Sequence, residues 1–230
     1  NVSFYDKKRD LPVNINSGDL KFSDNNVKIN ALNMSYGHTP VLIDAILDDV
    51  NTKNPGFNVF VSTNLNEESL DKLVNPMLQF PLKTKGEFTL KGRLRGTLDT
   101  YTIFANAILN PGVDLYYMGS DIGDVSDKRE IISRLDIKNN EIKVRNIQYQ
   151  KYILSQNKKE TPYEMLKVSG GIKGGDKGLY LDNLKIVTPN PAPARLLNIF
   201  FKKSILKHGT FVSNMLLNGT IAEPKVNGNL

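Results

Sequence analysis

The chain has 230 residues, 40% of them hydrophobic, a net charge of +6 and no cysteine. That length allows one domain or two. A mean hydropathy of −0.33, with no apolar run near the roughly eighteen residues of a spanning helix, points away from a helical membrane protein. The lack of cysteine excludes disulfides, thiolate catalysis and cysteine metal sites together.

The basic excess is modest, and the charges mostly alternate along the strand-like stretches, as they do on a solvated sheet face. No dedicated polyanion site is expected. The chain begins with Asn and stops within a strand-like stretch at Leu230. We read it as a piece of a longer protein, with any membrane anchor outside it.

In chain order, residues 1–17 hold a weak strand, Leu11 to Ile15, then a turn at Asn16-Ser17-Gly18. From Gly18 the alternation firms up through Leu20 and Phe22. A turn at Asp24-Asn25-Asn26 follows, then Val27, Ile29, Leu32 and Met34. The phase changes between Ile29 and Leu32, which predicts a bulge. Val41, Ile43, Ala45 and Leu47 share one face of the next strand, and Phe57 to Thr63 forms another. Asn64 or Asn66 can cap a short helix through Glu67, Glu68, Leu70, Leu73 and Val74 that Pro76 stops.

Gly86 to Leu109 is the clearest element. Phe88, Leu90, Gly92, Leu94, Gly96 and Leu98 alternate with polar residues, Asp99-Thr100 breaks the pattern, and Tyr101, Ile103, Ala105, Ala107 and Leu109 resume it. Such alternation predicts a half-buried hairpin.

The second half repeats the first. Leu135 to Tyr149 matches Leu20 to Met34 at an offset of 115, including the phase change, now between Val144 and Ile147. Ser155 to Pro162 is expected to be a loop. Leu166, Val168, Gly170 and Ile172 correspond to the Val41 strand, and Leu179 to Val187 to the Phe57 strand. Ala194 to Leu206 forms the second short helix. Gly209 to Leu230 matches the hairpin at an offset of 123, pairing Gly86 with Gly209, Phe88 with Phe211, Leu94 with Leu217, Gly96 with Gly219, Leu98 with Ile221 and Ile103 with Val226. The organisation is therefore a lead-in over 1–17, a repeat unit over 18–118, a connector over 119–130 and a second unit over 131–230. Units that cannot close their own edges stack into one sheet. We expect a mostly β fold: an elongated, strongly curved antiparallel sheet of two tandem repeats, each with one short helix.

No reaction is legible. His38 and His208 stand apart from carboxylate patterns, Asp48-Asp49 would point to opposite strand faces, and no HExxH, GxSxG or Walker pattern is present. The glycine-rich stretch Gly170 to Gly178 lacks the Lys-Ser/Thr ending and following helix of a phosphate loop. Nucleic acid would call for aromatics interleaved with Arg on one exposed face; Tyr116-Tyr117 comes nearest and lacks an adjacent Arg. We expect no enzyme, no metal, no cofactor and no nucleic-acid partner. Small residues on the apolar face (Gly92, Gly96, Ala105, Ala107, Gly170, Gly219, Gly228) either permit sheet curvature or leave room for a guest.

The phrases Lys85-Gly86-Glu87-Phe88-Thr89-Leu90-Lys91-Gly92, Gly96-Thr97-Leu98, and Leu217-Asn218-Gly219-Thr220-Ile221-Ala222-Glu223-Pro224-Lys225-Val226-Asn227-Gly228-Asn229-Leu230 resemble repeats of the AsmA-like proteins, the group that includes TamB and YhdP. Thr39 to Asn64, with Pro55-Gly56-Phe57 before a strand, fits the same pattern. Tyr101 stands in the first hairpin where Pro224 stands in the second, a small departure. The resemblance covers most of Gly18 to Leu230. It implies a periplasmic protein anchored to the bacterial inner membrane, with a β-taco body: a sheet folded lengthwise into an apolar groove, as in bridge-like lipid transfer proteins that conduct phospholipid toward the outer membrane. It carries over no catalytic residues.

The groove so implied would hold acyl chains against Val27, Ile29, Val41, Ile43, Ala45, Phe88, Leu90, Leu94, Leu98, Ile103, Ala105, Ala107, Leu109, Ile142, Val144, Val168, Ile172, Phe211, Leu217, Ile221 and Val226. The alternative is a scaffold for outer-membrane protein assembly whose open strand edges pair with a partner such as a barrel protein.

Overall fold

A computed structural model of the chain describes residues 2–7, 10–77, 81–117, 120–121, 126–139, 141–155, 159–175, 178–198, 206–220 and 223–229. In chain order its strands are β1 (Val2–Asp6), β2 (Leu11–Phe22), β3 (Val27–Tyr36), β4 (Thr39–Asp48), β5 (Gly56–Leu65), β6 (Leu82–Lys85), β7 (Phe88–Thr97), β8 (Thr100–Leu109), β9 (Asp114–Tyr117), β10 (Ser120–Asp121), β11 (Arg129–Lys138), β12 (Glu141–Leu154), β13 (Glu160–Gly175), β14 (Gly178–Val187), β15 (Ala192–Pro193), β16 (Thr210–Phe211), β17 (Asn214–Thr220) and β18 (Pro224–Asn229).

Among the described residues, thirteen strands form one antiparallel sheet in the order β1-β2-β3-β4-β5-β7-β8-β11-β12-β13-β14-β17-β18. Each strand lies beside its predecessor in that list, so the sheet is a long meander without crossovers. It is not closed: β1 and β18 are each paired on one side only. The pairing of β8 with β11 runs over ten residue pairs, from Arg129–Leu109 to Lys138–Thr100. The sheet therefore passes from residues 18–118 into 131–230 without a break.

The sequence period explains most of these strands. The predicted hairpin is β7–β8, with Leu94 opposite Ile103 and Gly92 opposite Ala105; its turn falls at Leu98-Asp99, one residue earlier than the polar break suggests. The predicted bulge is present between Ile29 and Leu32, and its counterpart lies between Val144 and Ile147. Of the glycine-rich stretch, Gly170 to Gly175 end β13 and Gly178 opens β14 opposite Gly175.

Two expectations are corrected. Asn16-Ser17-Gly18 is not a turn, because β2 continues through it to Phe22. The register against β3 shifts on both sides of Ser17 instead. Gly18, at φ +150°, lies so close to Leu32 that a Cβ would sit 2.8 Å from the Leu32 Cα. Glycine here serves a bulge and a close backbone approach rather than a reversal. The loop expected over Ser155 to Pro162 is shorter, since Glu160, Thr161 and Pro162 pair with Leu154, Ile153 and Tyr152.

All the insertions leave the sheet from one end of its strands. After β5, Asn66 caps a helical segment by accepting from the Ser69 N–H at 2.9 Å. The segment runs as an α turn (α1, Glu67–Ser69), a wider π turn (Leu70–Val74) and a 3-10 turn (Asn75–Met77). β6 follows and pairs with β9, which pairs with β10. After β14, β15 and a 3-10 turn (Ala194–Leu197) lead to β16, which pairs with β15. The helix expected over Ala194 to Leu206 begins as this 3-10 turn and does not reach Leu206, which is irregular; residues 199–205 lie outside the described residues. At the other end of the strands, Leu98-Asp99 joins β7 to β8 and Ser23 to Asn26 joins β2 to β3 as short turns.

Candidate functional site

Cross-strand partners share a sheet face, so the register shows which side chains line up. One row reads Leu32, Ile43, Val61, Gly92, Ala105, Ser133, Ile147, Val168, Ile186, Met215, Gly228, from β3 to β18. A second reads Ile29, Ala45, Val59, Leu94, Ile103, Leu135, Val144, Gly170. A third reads Val27, Leu47, Phe57, Gly96, Tyr101, Ile137, Ile142, Ile172, Leu181, Gly219, Pro224. A fourth reads Met34, Val41, Thr63, Leu90, Ala107, Ile131, Tyr149, Leu166. None of the four rows contains a charged side chain. The other face of the same strands carries the charge: Asp44, Phe60, Arg93, Phe104, Arg134 make one row there, and Ile46, Asn58, Arg95, Thr102, Asp136, Lys143 the next.

This apolar face is mostly half-buried. Val27, Ile29, Val41, Ile43, Leu90, Leu94, Ile103, Ala105, Ala107, Ile142, Val168 and Ile172 all fall in that class. Ala45, Val144 and Leu217 are buried deeper. Val226 is 55% exposed because it stands on the edge strand β18. Leu98 does not lie on the face: it occupies the β7–β8 turn and is 63% exposed. Phe211 belongs to β16, not to the large sheet, although its sequence counterpart Phe88 is in β7. Ile221 lies outside the described residues.

Phe88 and Leu109 are covered by protein. With Leu65, Leu70, Val113 and Leu115 they form a closed cluster under the helical segment and β6–β9, and Val74, Leu82, Leu90, Ala107 and Ile131 pack against it. A second cluster joins Tyr149, Met165, Ala192 and Leu196, with Phe211, Leu166 and Ile131 against it. Ile131 touches both. The two insertions thus close one rim of the apolar face and leave its centre half-buried. Arg129 sits fully buried at this rim and donates to the Val113 carbonyl.

The opposite face has a polar centre near the same rim. The Glu130 carboxylate accepts from Asn106 Nδ2 at 2.6 Å, Gln150 Nε2 at 2.7 Å and the Tyr152 hydroxyl at 2.5 Å. Burial alone would raise its pKa. The hydrogen bonds from Tyr152, Asn106 and Gln150, with the Lys128 charge, outweigh burial and hold it below its ordinary value. The same bond pushes the Tyr152 hydroxyl up. These groups pair with one another across β8, β11 and β12.

Sequence reading missed Val59, Val61, Leu135, Ile137, Ile147 and Met215 as lining residues. Only the cross-strand register puts Val59 and Leu135 in the row of Leu94 and Ile103, and Val61, Ile137, Ile147 and Met215 in the rows on either side of it. Among the described residues no group of three or more His, Asp or Glu could hold a metal ion, and no helix is long and apolar enough to cross a membrane. His38 lies in the turn between β3 and β4. Comparisons with family models, curated proteins and solved structures return no match.

Proposed function

We propose that this chain is a non-enzymatic, lipid-conducting segment of a longer envelope protein, and that its sheet folds lengthwise so that the apolar rows line a groove for phospholipid acyl chains. On this reading the chain is AsmA-like and built of two tandem repeats. It lies in the periplasm, held to the inner membrane by an anchor outside the sequence, and passes phospholipid between inner and outer membranes. The observation that carries it is the set of four adjacent rows, up to eleven strands long, that hold no charged side chain and are mostly half-buried. A closed core would bury such a face. A solvated sheet would break it with charge.

The energetics suit transport. Each buried methylene contributes roughly 0.8 kcal/mol, so a chain of about sixteen carbons gains on the order of 10 kcal/mol before ordering costs. Contacts spread over equivalent rows let a chain slide from one strand to the next without leaving a single deep pocket. The headgroup stays in water at the open rim, opposite the two insertions.

The test is mass spectrometry of lipids that co-purify with the protein, paired with uptake of a fluorescent phospholipid. Bound phospholipid and saturable uptake are expected. A protein that carries no lipid and takes none up overturns the reading. The second reading, a scaffold that pairs with an outer-membrane barrel protein through its strand edges, draws on the exposure of Val2, Phe4 and Tyr5 on β1 and of β18 along its length. It predicts partner capture that depends on these edges and occurs without lipid.

A further inference from the structure

The charged face carries a ladder that no stretch of the sequence contains. Phe60 on β5, Arg93 on β7, Phe104 on β8 and Arg134 on β11 are direct cross-strand neighbours in that order. Both rings are 37% exposed. The Arg134 guanidinium lies over the Phe104 ring, 4.9 Å from its centroid, and Arg93 Nε donates to Asn58 Oδ1 at 2.9 Å. Along β7 the same face presents Lys91, Arg93 and Arg95, all exposed. A cleft of about 310 Å³ opens beside Phe60 and Arg93, and another of about 620 Å³ beside Phe104, Arg134 and Arg95.

We propose that this ladder is a docking surface for an extended, acidic segment of a partner protein. Three features select that occupant. Alternate residues of a strand stand roughly 6.8 Å apart. Lys91, Arg93 and Arg95 therefore match the spacing of alternate side chains in an extended peptide laid along β7, and acidic residues at those positions meet one cation each. Phe60 and Phe104 flank Arg93 on both sides and give apolar walls to the methylene stems of such side chains. Arginine offers bidentate pairing with carboxylates, which fixes register as well as charge.

Single-stranded nucleic acid fits less well. Base stacking needs open ring faces, and the Phe104 face is already taken by Arg134. The proposal concerns the face opposite the apolar rows, so it stands or falls separately from lipid conduction.

The test is fluorescence anisotropy with a fluorescein-labelled peptide of alternating Glu and Val. Saturable binding is expected, weakening several-fold as salt rises from 50 to 300 mM because the contacts are exposed and screened (about 8 Å Debye length at physiological salt). Arg93→Gln with Arg134→Gln should weaken binding at least tenfold, while Lys167→Gln with Lys185→Gln, elsewhere on the same face, should leave it unchanged. Circular dichroism of each variant confirms the sheet, and the salt dependence of the unaltered protein needs no variant. Absent binding, equal binding of a Gln-Val peptide, indifference to the arginine pair, or tighter binding of a ten-residue dT oligonucleotide would each overturn the proposal.

Discussion

Phe57 and Tyr101 meet over Gly96. Both are cross-strand partners of this glycine, on β5 and β8, and their ring centroids lie 5.9 Å apart at 55°. The two rings pack together beside the glycine, and the position a side chain would take there is occupied by the backbone of β8. So the small residue at this position of the apolar face is not a vacancy. It also has a backbone role: Gly96 has φ +144°, and a Cβ there would lie 2.3 Å from the Thr100 carbonyl oxygen and 2.6 Å from the Tyr101 Cα. Gly96→Ala is expected to destabilise the protein by about 1–3 kcal/mol, read as a lowered urea midpoint. Gly112→Ala, at φ +89° with nothing within 4 Å of the new Cβ, should cost less. Equal losses at the two sites would argue against the close approach.

The centre of the apolar face gives the sharpest functional prediction. Leu94 and Ile103 oppose each other between Val59 and Leu135, and both are half-buried. On the groove reading, Leu94→Asp or Ile103→Asp puts a carboxylate among acyl chains while keeping some access to water. Phospholipid uptake should fall at least tenfold with the β-sheet circular dichroism spectrum retained. In an ordinary closed core the same unpaired charge would cost several kcal/mol and unfold the sheet, so loss of the spectrum counts against an accessible groove.

How much of this was legible depended on where the signal lay. Strand phase is local, so β7–β8 and both bulges, at Ile29/Leu32 and Val144/Ile147, could be read directly. The cap was legible as far as Asn64 or Asn66, and the bond from the Ser69 N–H selects Asn66. Gly18 misled because glycine marks turns and bulges alike, and only the contact with Leu32 separates them. Phe88 and Leu109 alternate like their neighbours, and nothing within the hairpin announces that Leu70 and Val113 fold over them. The Phe60, Arg93, Phe104, Arg134 ladder was invisible along the chain. Its members are brought together by the register of four strands.

Glu130 should make stability depend on pH. Its folded pKa is held below the ordinary 4.5 by donors that favour the carboxylate over the effect of burial. A depressed folded value means the contribution is fully present above the unfolded pKa and is lost as pH falls through the folded one. Glu130→Gln turns an amide toward donors that need an acceptor, at a cost of about 1–3 kcal/mol near neutrality. Urea midpoints of the two proteins should differ most at pH 7 and converge as pH drops below 4.5. A gap that stays constant through the acid range would remove Glu130 from the account.

The rim can be loosened without touching the apolar rows. Asn66 Oδ1 accepts from the Ser69 backbone N–H at 2.9 Å and from the Ser69 hydroxyl at 3.0 Å, and that hydroxyl lies 2.6 Å from Thr39 Oγ1 at the start of β4. One side chain therefore caps the helical segment and orients the group that ties it to the sheet. Asn66→Ala removes the cap, worth typically about 1 kcal/mol, and leaves the buried Ser69 and Thr39 hydroxyls to satisfy each other alone. The loss should be local: amide exchange should speed up over Glu67–Met77, while β7 and β8 keep their protection. Phospholipid uptake should persist, because Leu94, Ile103 and their row are untouched. Uptake that collapses in step with exchange at the rim would instead make the helical segment part of the conducting surface.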